Sequence, residues 1–454
     1  MTSSTHTNYG FVTLVSIVAA VGGLLFGYDT SVISGAIGFM QTKFHLNSAM
    51  QGWVVSCLLI GAIIGAALAG FLSDRFGRKK MLIISGLLFT IGSIISALSP
   101  TINLFVIARI IGGIGIGISS TLVPLYIAEI APSKNRGRLV SLNQLAVVIG
   151  ISAIYFVNKA IVNAGDQSWD VNYSWRWMLG CGLIPGLLFV FLLLLVPESP
   201  RWLEKQGFDE KAFKLLEKIN GTDQAKKELA DIKNSIQKEA SGSIRLLFKP
   251  GFRIALIIGV VLAILQQVTG INAIMYYAPE IFKKVGAGTN ASLTETIIVG
   301  LVNFLFTLVS LWLIDKVGRK TLLIIGSAVM TISLAVVGFE FSSAHPNGTL
   351  VLFFILLFVA AFAVSFGPIV WLVIAEIFPT NIRGRATAIA SVALWLADFV
   401  VSQFFPILLG KTGPATTFFI FAILSLFAFI FSATVVRETK GKSLEEIETE
   451  WSTH

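Results

Sequence analysis

Long apolar runs separated by short polar connections dominate this chain. A helix needs about 20 apolar residues to cross the hydrocarbon of a bilayer. Runs of that size fall at residues 11–38, 50–72, 80–99, 102–129, 138–163 and 175–196. After a polar stretch from Glu198 to Arg253, six more follow at 253–282, 295–314, 321–341, 349–376, 386–409 and 414–436. The pattern predicts an all-α integral membrane protein of 12 spans, arranged as six, a linker and six. The first run is no cleavable leader, because it follows a neutral head, continues through Asp29 and has many equivalents.

The stretch Leu262 to Pro279, LAILQQVTGINAIMYYAP, breaks the pattern. It carries Gln266, Gln267, Asn272, Tyr276 and Tyr277 inside a span. Hydrocarbon does not solvate amides, so one face must line protein or a water-filled cavity. Gly270 allows this span to unwind and free backbone groups for a polar ligand. Other polar groups sit in other spans: Gln144 in the fifth, Asn303 in the eighth, Gly367-Pro368 with Trp371 in the tenth, Trp395 and Asp398 in the eleventh. Neutral amides beside indole rings suit a ligand with many hydroxyls and no charge, such as a pyranose, and suit neither phosphate nor metal.

Two embedded charges fall in the first half. Asp29 in the first span and Arg109 in the fourth would each cost about 2.5 to 3.5 kcal/mol at mid-membrane on insertion scales. Together they predict an ion pair, in which a proton that competes with the arginine couples protonation to rearrangement. The second half has Leu356 where Arg109 would repeat.

That repeat is visible in two motifs. Asp74-Arg75-Phe-Gly77-Arg78-Lys79 recurs as Asp315-Lys316-Val-Gly318-Arg319-Lys320, 241 positions on. Ile127-Ala-Glu129-Ile-Ala-Pro132, closed by Arg136-Gly137-Arg138, recurs as Ile374-Ala-Glu376-Ile-Phe-Pro379, closed by Arg383-Gly384-Arg385, 247 positions on. Two motifs at nearly one offset imply two six-helix halves in parallel orientation with a pathway between them. Residues 1–197 and 253–436 are the expected bundles, 198–252 a helical linker and 437–454 a tail. The carboxylates of the first motif can accept hydrogen bonds from arginine or from helix N-terminal amides. Asp74, Asp315, Glu129 and Glu376, with Arg138 and Arg385, are therefore expected to form a gate that is made in one state and broken in another.

The linker from Phe208 to Gln237 has apolar residues at near-helical spacing and a break at Asn220-Gly221, which predicts two or three short amphipathic helices packed under both halves. Glu445 to Glu450 reads as a solvated acidic face.

Composition agrees: 55% hydrophobic and 13% charged, against roughly 25% charged in soluble domains. The net charge of +9 comes from Lys and Arg in connections on one side, so it orients the chain and does not signal nucleic acid. By that rule both termini and the linker are cytoplasmic. Cys57 and Cys181 are expected as buried thiols, and the four histidines form no ligand cluster; no metal, cofactor or catalytic chemistry is expected.

These motifs resemble the sugar porter family of the major facilitator superfamily, over essentially the whole chain: GYDTSVISG from Gly27, the two duplicated loops, PESPRW from Pro197, QQxxGxNxxxYY from Gln266, GPxxW from Gly367 and RETKG from Arg437. The set looks most like bacterial proton-coupled glucose, xylose and galactose porters. The resemblance implies a monosaccharide bound by Gln144, Gln266, Gln267, Asn272, Asn303 and Trp371 with Tyr276 and Trp395 nearby. It implies proton coupling at Asp29 and Arg109, and gating that also involves Glu198. The expected activity is proton-coupled uptake by alternating access at the bacterial cytoplasmic membrane, by a monomer, with glucose favoured. Xylose or galactose symport, passive facilitation and a non-transporting sugar sensor are the alternatives. Two positions depart from the family pattern: Leu394, where relatives often offer an amide, and Arg437, where proline is usual.

Overall fold

The computed structural model describes residues 8–132, 135–240, 252–378 and 383–440, with only the backbone given for 237–240, Asp315, Ala375 and Arg383. The acidic tail and the end of the linker lie outside the described residues.

Among the described residues, twelve helical spans are long and apolar enough to cross a membrane. The first five are α1 (Tyr9–Phe44), α2 (Ser48–Phe76), α3 (Arg78–Leu98), α4 (Ile102–Ile130) and α5 (Arg136–Val162). The sixth span, Gln167–Leu194, is assembled from α6 (Gln167–Trp169), a π-helical turn Asp170–Ser174, α7 (Trp175–Gly180) and α8 (Leu183–Leu194). The seventh span comprises α12 (Phe252–Val268) and α13 (Ile271–Lys284). The eighth and ninth are α14 (Thr289–Val317) and α15 (Arg319–Ser342). The tenth is split into α16 (Gly348–Val364) and α17 (Phe366–Glu376), and α18 (Arg383–Lys411) and α19 (Gly413–Thr434) complete the set. These form the two helical bundles of the major facilitator fold. Many of the large side chains left exposed are apolar, including Phe71, Ile184, Phe191, Phe339 and Phe427; on a surface facing lipid that is the expected solution.

Between the bundles lie α9 (Pro200–Lys205), α10 (Asp209–Asn220) and α11 (Thr222–Ala240). The chain breaks at Gly221, whose φ is +78°, as the Asn220-Gly221 signal predicts. The contacts described fasten this linker to the first bundle. Trp202 Nε1 and Gln206 Nε2 donate to Asp74 O at 3.0 and 3.2 Å, Lys205 Nζ reaches Asp74 Oδ2 at 2.7 Å, and Asn8 N donates to Ile219 O at 2.7 Å. The expected latch is thus anchored on one side.

The bundle has a basic end, which carries the α2–α3, α4–α5, α14–α15 and α17–α18 connections and the linker, and an opposite end. The hydrogen bonds that join the two halves lie toward the opposite end. Lys159 Nζ donates to Thr294 Oγ1 at 2.7 Å, Ser152 Oγ to Gly300 O at 3.0 Å and Tyr155 Oη to Met275 O at 2.9 Å. Ser56 Oγ donates to Gln403 Oε1 at 2.9 Å, and Gln403 Nε2 to Ala49 O at 3.0 Å.

Candidate functional site

Two helix breaks shape the middle of the second half. Gly270 sits between α12 and α13 at φ +94°, a conformation that L side chains rarely adopt, and a Cβ there would press on the Phe421 ring at 2.9 Å. In the tenth span, Pro368 has no N–H to offer Val364 O, four residues back. Ser310 Oγ takes that carbonyl at 2.9 Å instead. Gln266 Nε2 then holds two more carbonyls of the same break, Phe366 O at 2.7 Å and Gly367 O at 3.0 Å.

Gln266 therefore joins the two breaks and starts a chain of amides. Gln267 Nε2 donates to Gln266 Oε1 at 3.4 Å, and Asn272 Nδ2 to Gln267 Oε1 at 2.8 Å. Tyr276 Oη, one turn on, donates to Asp398 Oδ2 at 3.3 Å, and Ser402 Oγ to Asp398 Oδ1 at 3.0 Å. Trp395 meets Phe26 edge-on across the two halves, ring centroids 5.4 Å apart. Gln144 on α5 and Trp371 on α17 are half-buried and Asn303 on α14 is buried. None of these three side chains forms a hydrogen bond among the described residues, so they are not tied into the chain. Asp398 stands out in the sequence only as a lone acid in an apolar span; its place at the end of the amide chain needed the fold.

The first half holds the expected ion pair. Arg109 Nη1 donates to Asp29 Oδ1 at 2.5 Å and Nη2 to Asp29 O at 3.3 Å, with both residues buried. Asp29 Oδ2 takes no hydrogen bond among the described residues, so a proton can settle there without first displacing the arginine.

At the basic end each half carries the same clasp. Gly77 and Gly318 turn the chain with φ +102° in both, at ψ 154° and 158°. A Cβ at Gly77 would strike Glu198 Oε2 at 2.3 Å, and one at Gly318 would strike Glu438 Oε2 at 2.6 Å. Glycine is needed there for the turn and for the close carboxylate. In the first half, Glu198 Oε1 accepts from Arg78 N at 3.0 Å, Lys79 N at 3.1 Å and Ser199 N at 2.8 Å. Arg78 forks onto Glu129, 3.1 Å on each arm, and reaches Asp74 Oδ1 at 2.8 Å. Ser199 Oγ donates to Glu129 Oε2.

In the second half, Glu438 Oε1 accepts from Arg319 N at 2.9 Å and its Oε2 from Lys320 N at 3.1 Å. Arg319 Nη2 reaches Glu376 Oε1 at 3.0 Å, and Thr439 Oγ1 donates to Glu376 Oε2 at 2.6 Å. The Asp315 side chain lies outside the described residues.

Arg138, expected as a member of the gate, is exposed at the start of α5, and Arg78 holds the Glu129 carboxylate. Arg385 is exposed as well. The Glu198-Ser199 and Glu438-Thr439 pairs are themselves a repeat, 240 positions apart. Burial pushes the Glu198 carboxyl above the ordinary glutamate range despite its N–H donors. Burial also works to raise Glu438, but the N–H groups of Lys440, Arg319, Lys320 and Thr439 outweigh it and hold the group below that range.

Two parallel bundles, unwound helices at mid-span and paired clasps at one end define a secondary transporter. Residues 15–451 match the family model described as Sugar (and other) transporter, and the chain belongs to that family. It is 51% identical over 442 residues to the arabinose-proton symporter of Bacillus subtilis, covering 97% of this chain and 95% of that one. It is 42% identical over 481 aligned positions to the D-xylose-proton symporter of Escherichia coli, at 99% and 97% coverage. The solved inward-open conformation of the xylose transporter XylE from E. coli superposes with a TM-score of 0.86 at 41% identity, over 97% of this chain and 100% of that one.

Proposed function

We propose that the protein takes up a pentose, arabinose or xylose, together with a proton by alternating access. The observation that carries this reading is the Asp29–Arg109 pair, a charge pair buried within the spans of the first half, with one carboxylate oxygen open to a proton. A proton on Asp29 cancels the charge that holds Arg109, which loosens α1 from α4 and shifts the balance between two packings of the halves. The similarity to arabinose- and xylose-proton symporters supports a pentose over the glucose favoured among the expected sugars.

The sugar is held by Gln144, Gln266, Gln267, Asn272, Asn303 and Trp371, with Tyr276 and Trp395 beside it, where amide donors and acceptors meet sugar hydroxyls and indole faces the ring. Since Gln266 gives its N–H groups to the tenth-span break, a sugar hydroxyl meets it at Oε1, where the bond from Gln267 Nε2 is long at 3.4 Å. With the basic end in the cytoplasm, the joined ends face outward and the pathway opens inward. The clasps of Asp74, Arg78, Glu129 and Glu198, and of Asp315, Arg319, Glu376 and Glu438, fix each half as it rocks. The unit of function is a monomer in a bacterial cytoplasmic membrane.

Proteoliposomes test the reading. Labelled arabinose or xylose should accumulate above equilibrium under an inward proton gradient, and Asp29→Asn should lose accumulation while still binding sugar. Accumulation that persists in Asp29→Asn would remove Asp29 as the coupling site. Gln267→Ala should weaken sugar binding by about 1 to 3 kcal/mol at normal expression; an unchanged Kd would exclude that side chain from the site.

A further inference from the structure

We propose that Asp398 is a second proton-binding carboxyl, in the half that has no counterpart of Asp29, and that its proton is linked to the central amide chain. This rests on the reading of that chain as the sugar site.

Asp398 lies near the middle of α18, 15 residues after Arg383 and 13 before Lys411, and is 0% exposed. The donors on it are neutral. Tyr276 Oη and Ser402 Oγ each take one oxygen, and the Asn272 amide lies beside it. Asn272 leads on to Gln267 and Gln266, so the carboxyl closes one end of the amide chain.

The charged groups around it are distant or engaged elsewhere. On α2, Cys57 is a buried thiol, and Asp74 and Arg75 lie at the far end of the helix. The charged residue of α12 is Arg253, in its first turn. On α13, Tyr277 Oη donates to Ser402 O at 3.1 Å, and Glu280 pairs with Lys283 in the last turns, beside Lys284. Glu376, at the end of α17, belongs to the clasp, and α19 carries no titratable side chain. Beyond Tyr276 stand Tyr155 and Arg109, and Arg109 is committed to Asp29. Among the described residues no cation comes within the 4.0 Å of an ion pair with Asp398.

A carboxylate sealed in a span without a cation is costly, and a proton relieves that cost. The proton also changes what the cluster offers. An ionised carboxylate only accepts, whereas the acid donates one O–H. When Asp398 gains a proton from water in the pathway, its O–H can be given to Tyr276 Oη or Asn272 Oδ1. The Tyr276 hydrogen is then released to the amide cluster. One proton reverses one donor–acceptor position toward a hydroxyl-rich ligand, and the proton returns to water when the site empties. No covalent bond to the sugar forms or breaks.

The test measures Kd for L-arabinose and D-xylose against pH, with the full-length protein in the Asp29→Asn background, where the first site is removed. Affinity should still fall as pH rises, by about fivefold or more, and Asp398→Asn in that background should flatten the profile. A flat profile in Asp29→Asn overturns the proposal, as does a profile that Asp398→Asn leaves unchanged. Should the double variant fail to fold, Ser402→Ala in the same background decides. It removes a donor that favours the ionised form, so the midpoint should move to higher pH, and an unmoved midpoint overturns the proposal. Failure of the unaltered protein to bind either sugar would be a different result: it would overturn the functional reading and this inference with it.

Discussion

Transport by Gly52→Trp should fall to background while the sugar still binds. Gly52 is where α2 of the first half lies against α18 of the second, and a Cβ there would come within 2.2 Å of Gln403 O. The obstacle is backbone, which cannot turn aside as a flexible side chain can. Gln403 is also held on both sides, by Ser56 Oγ and by its own bond to Ala49 O. An indole at this point cannot be packed while those ends stay together. Overpacking commonly costs about 1 to 3 kcal/mol, and about 5.5 kcal/mol carries a two-state equilibrium from 1:99 to 99:1. A cost of about 1 to 3 kcal/mol shifts that equilibrium about 5- to 150-fold toward the state in which the halves part at this end. Uptake assays and side-specific labelling of single cysteines near Gly52 check it; wild-type uptake would show that this joint does not close in the working cycle.

Arg78→Ala should be the most damaging single change at the basic end. Its guanidinium serves Glu129, Asp74 and Ser73 O at once, and the Arg78 and Glu129 side chains are each only 6% exposed. Removing one member of a buried ion pair costs about 3 to 5 kcal/mol, because the other charge is left without compensation. Arg319→Ala should cost less: Arg319 and Glu376 are 11% and 20% exposed, so water can take over part of the lost interaction. Thermal unfolding of the two purified variants measures the difference. Equal losses of Tm would refute the burial argument, and no loss in Arg78→Ala would refute the clasp as a stabilising element.

The spans were legible because hydrocarbon imposes a length and a composition that connections do not share. The Asp29–Arg109 pair was legible for the same reason, since a charge at mid-span needs a partner and each half-pair was conspicuous. Gly270 announced its break, because a glycine among amides has little else to do in a span. Partner choice was not legible where several candidates sat close in sequence. Glu129 had arginines seven and nine residues away at 136 and 138, yet the start of α3 folds back and supplies Arg78. The role of Gln266 was hidden in a similar way. Its amide looked available for ligand, but its N–H groups are spent on the carbonyls of Phe366 and Gly367, about a hundred residues later beside the tenth-span break. Asp398 was visible as a charge; Ser402 lies one turn along its own helix, but the Tyr276 hydroxyl reaches it only through the packing of α13 on α18.

The paired clasps bear on where one half of this protein ends. Glu198 and Glu438 both follow the last helix of their bundle, and each returns to cap the helix that begins at Arg78 or Arg319. The exit strand is therefore part of the fold it leaves. A gene fragment cut at the last apolar residue of either bundle would discard its own fastener, whereas one extended through Lys205, or through Lys440, would retain it. On this geometry each half fastens its own exit, Glu198 onto Arg78 and Glu438 onto Arg319.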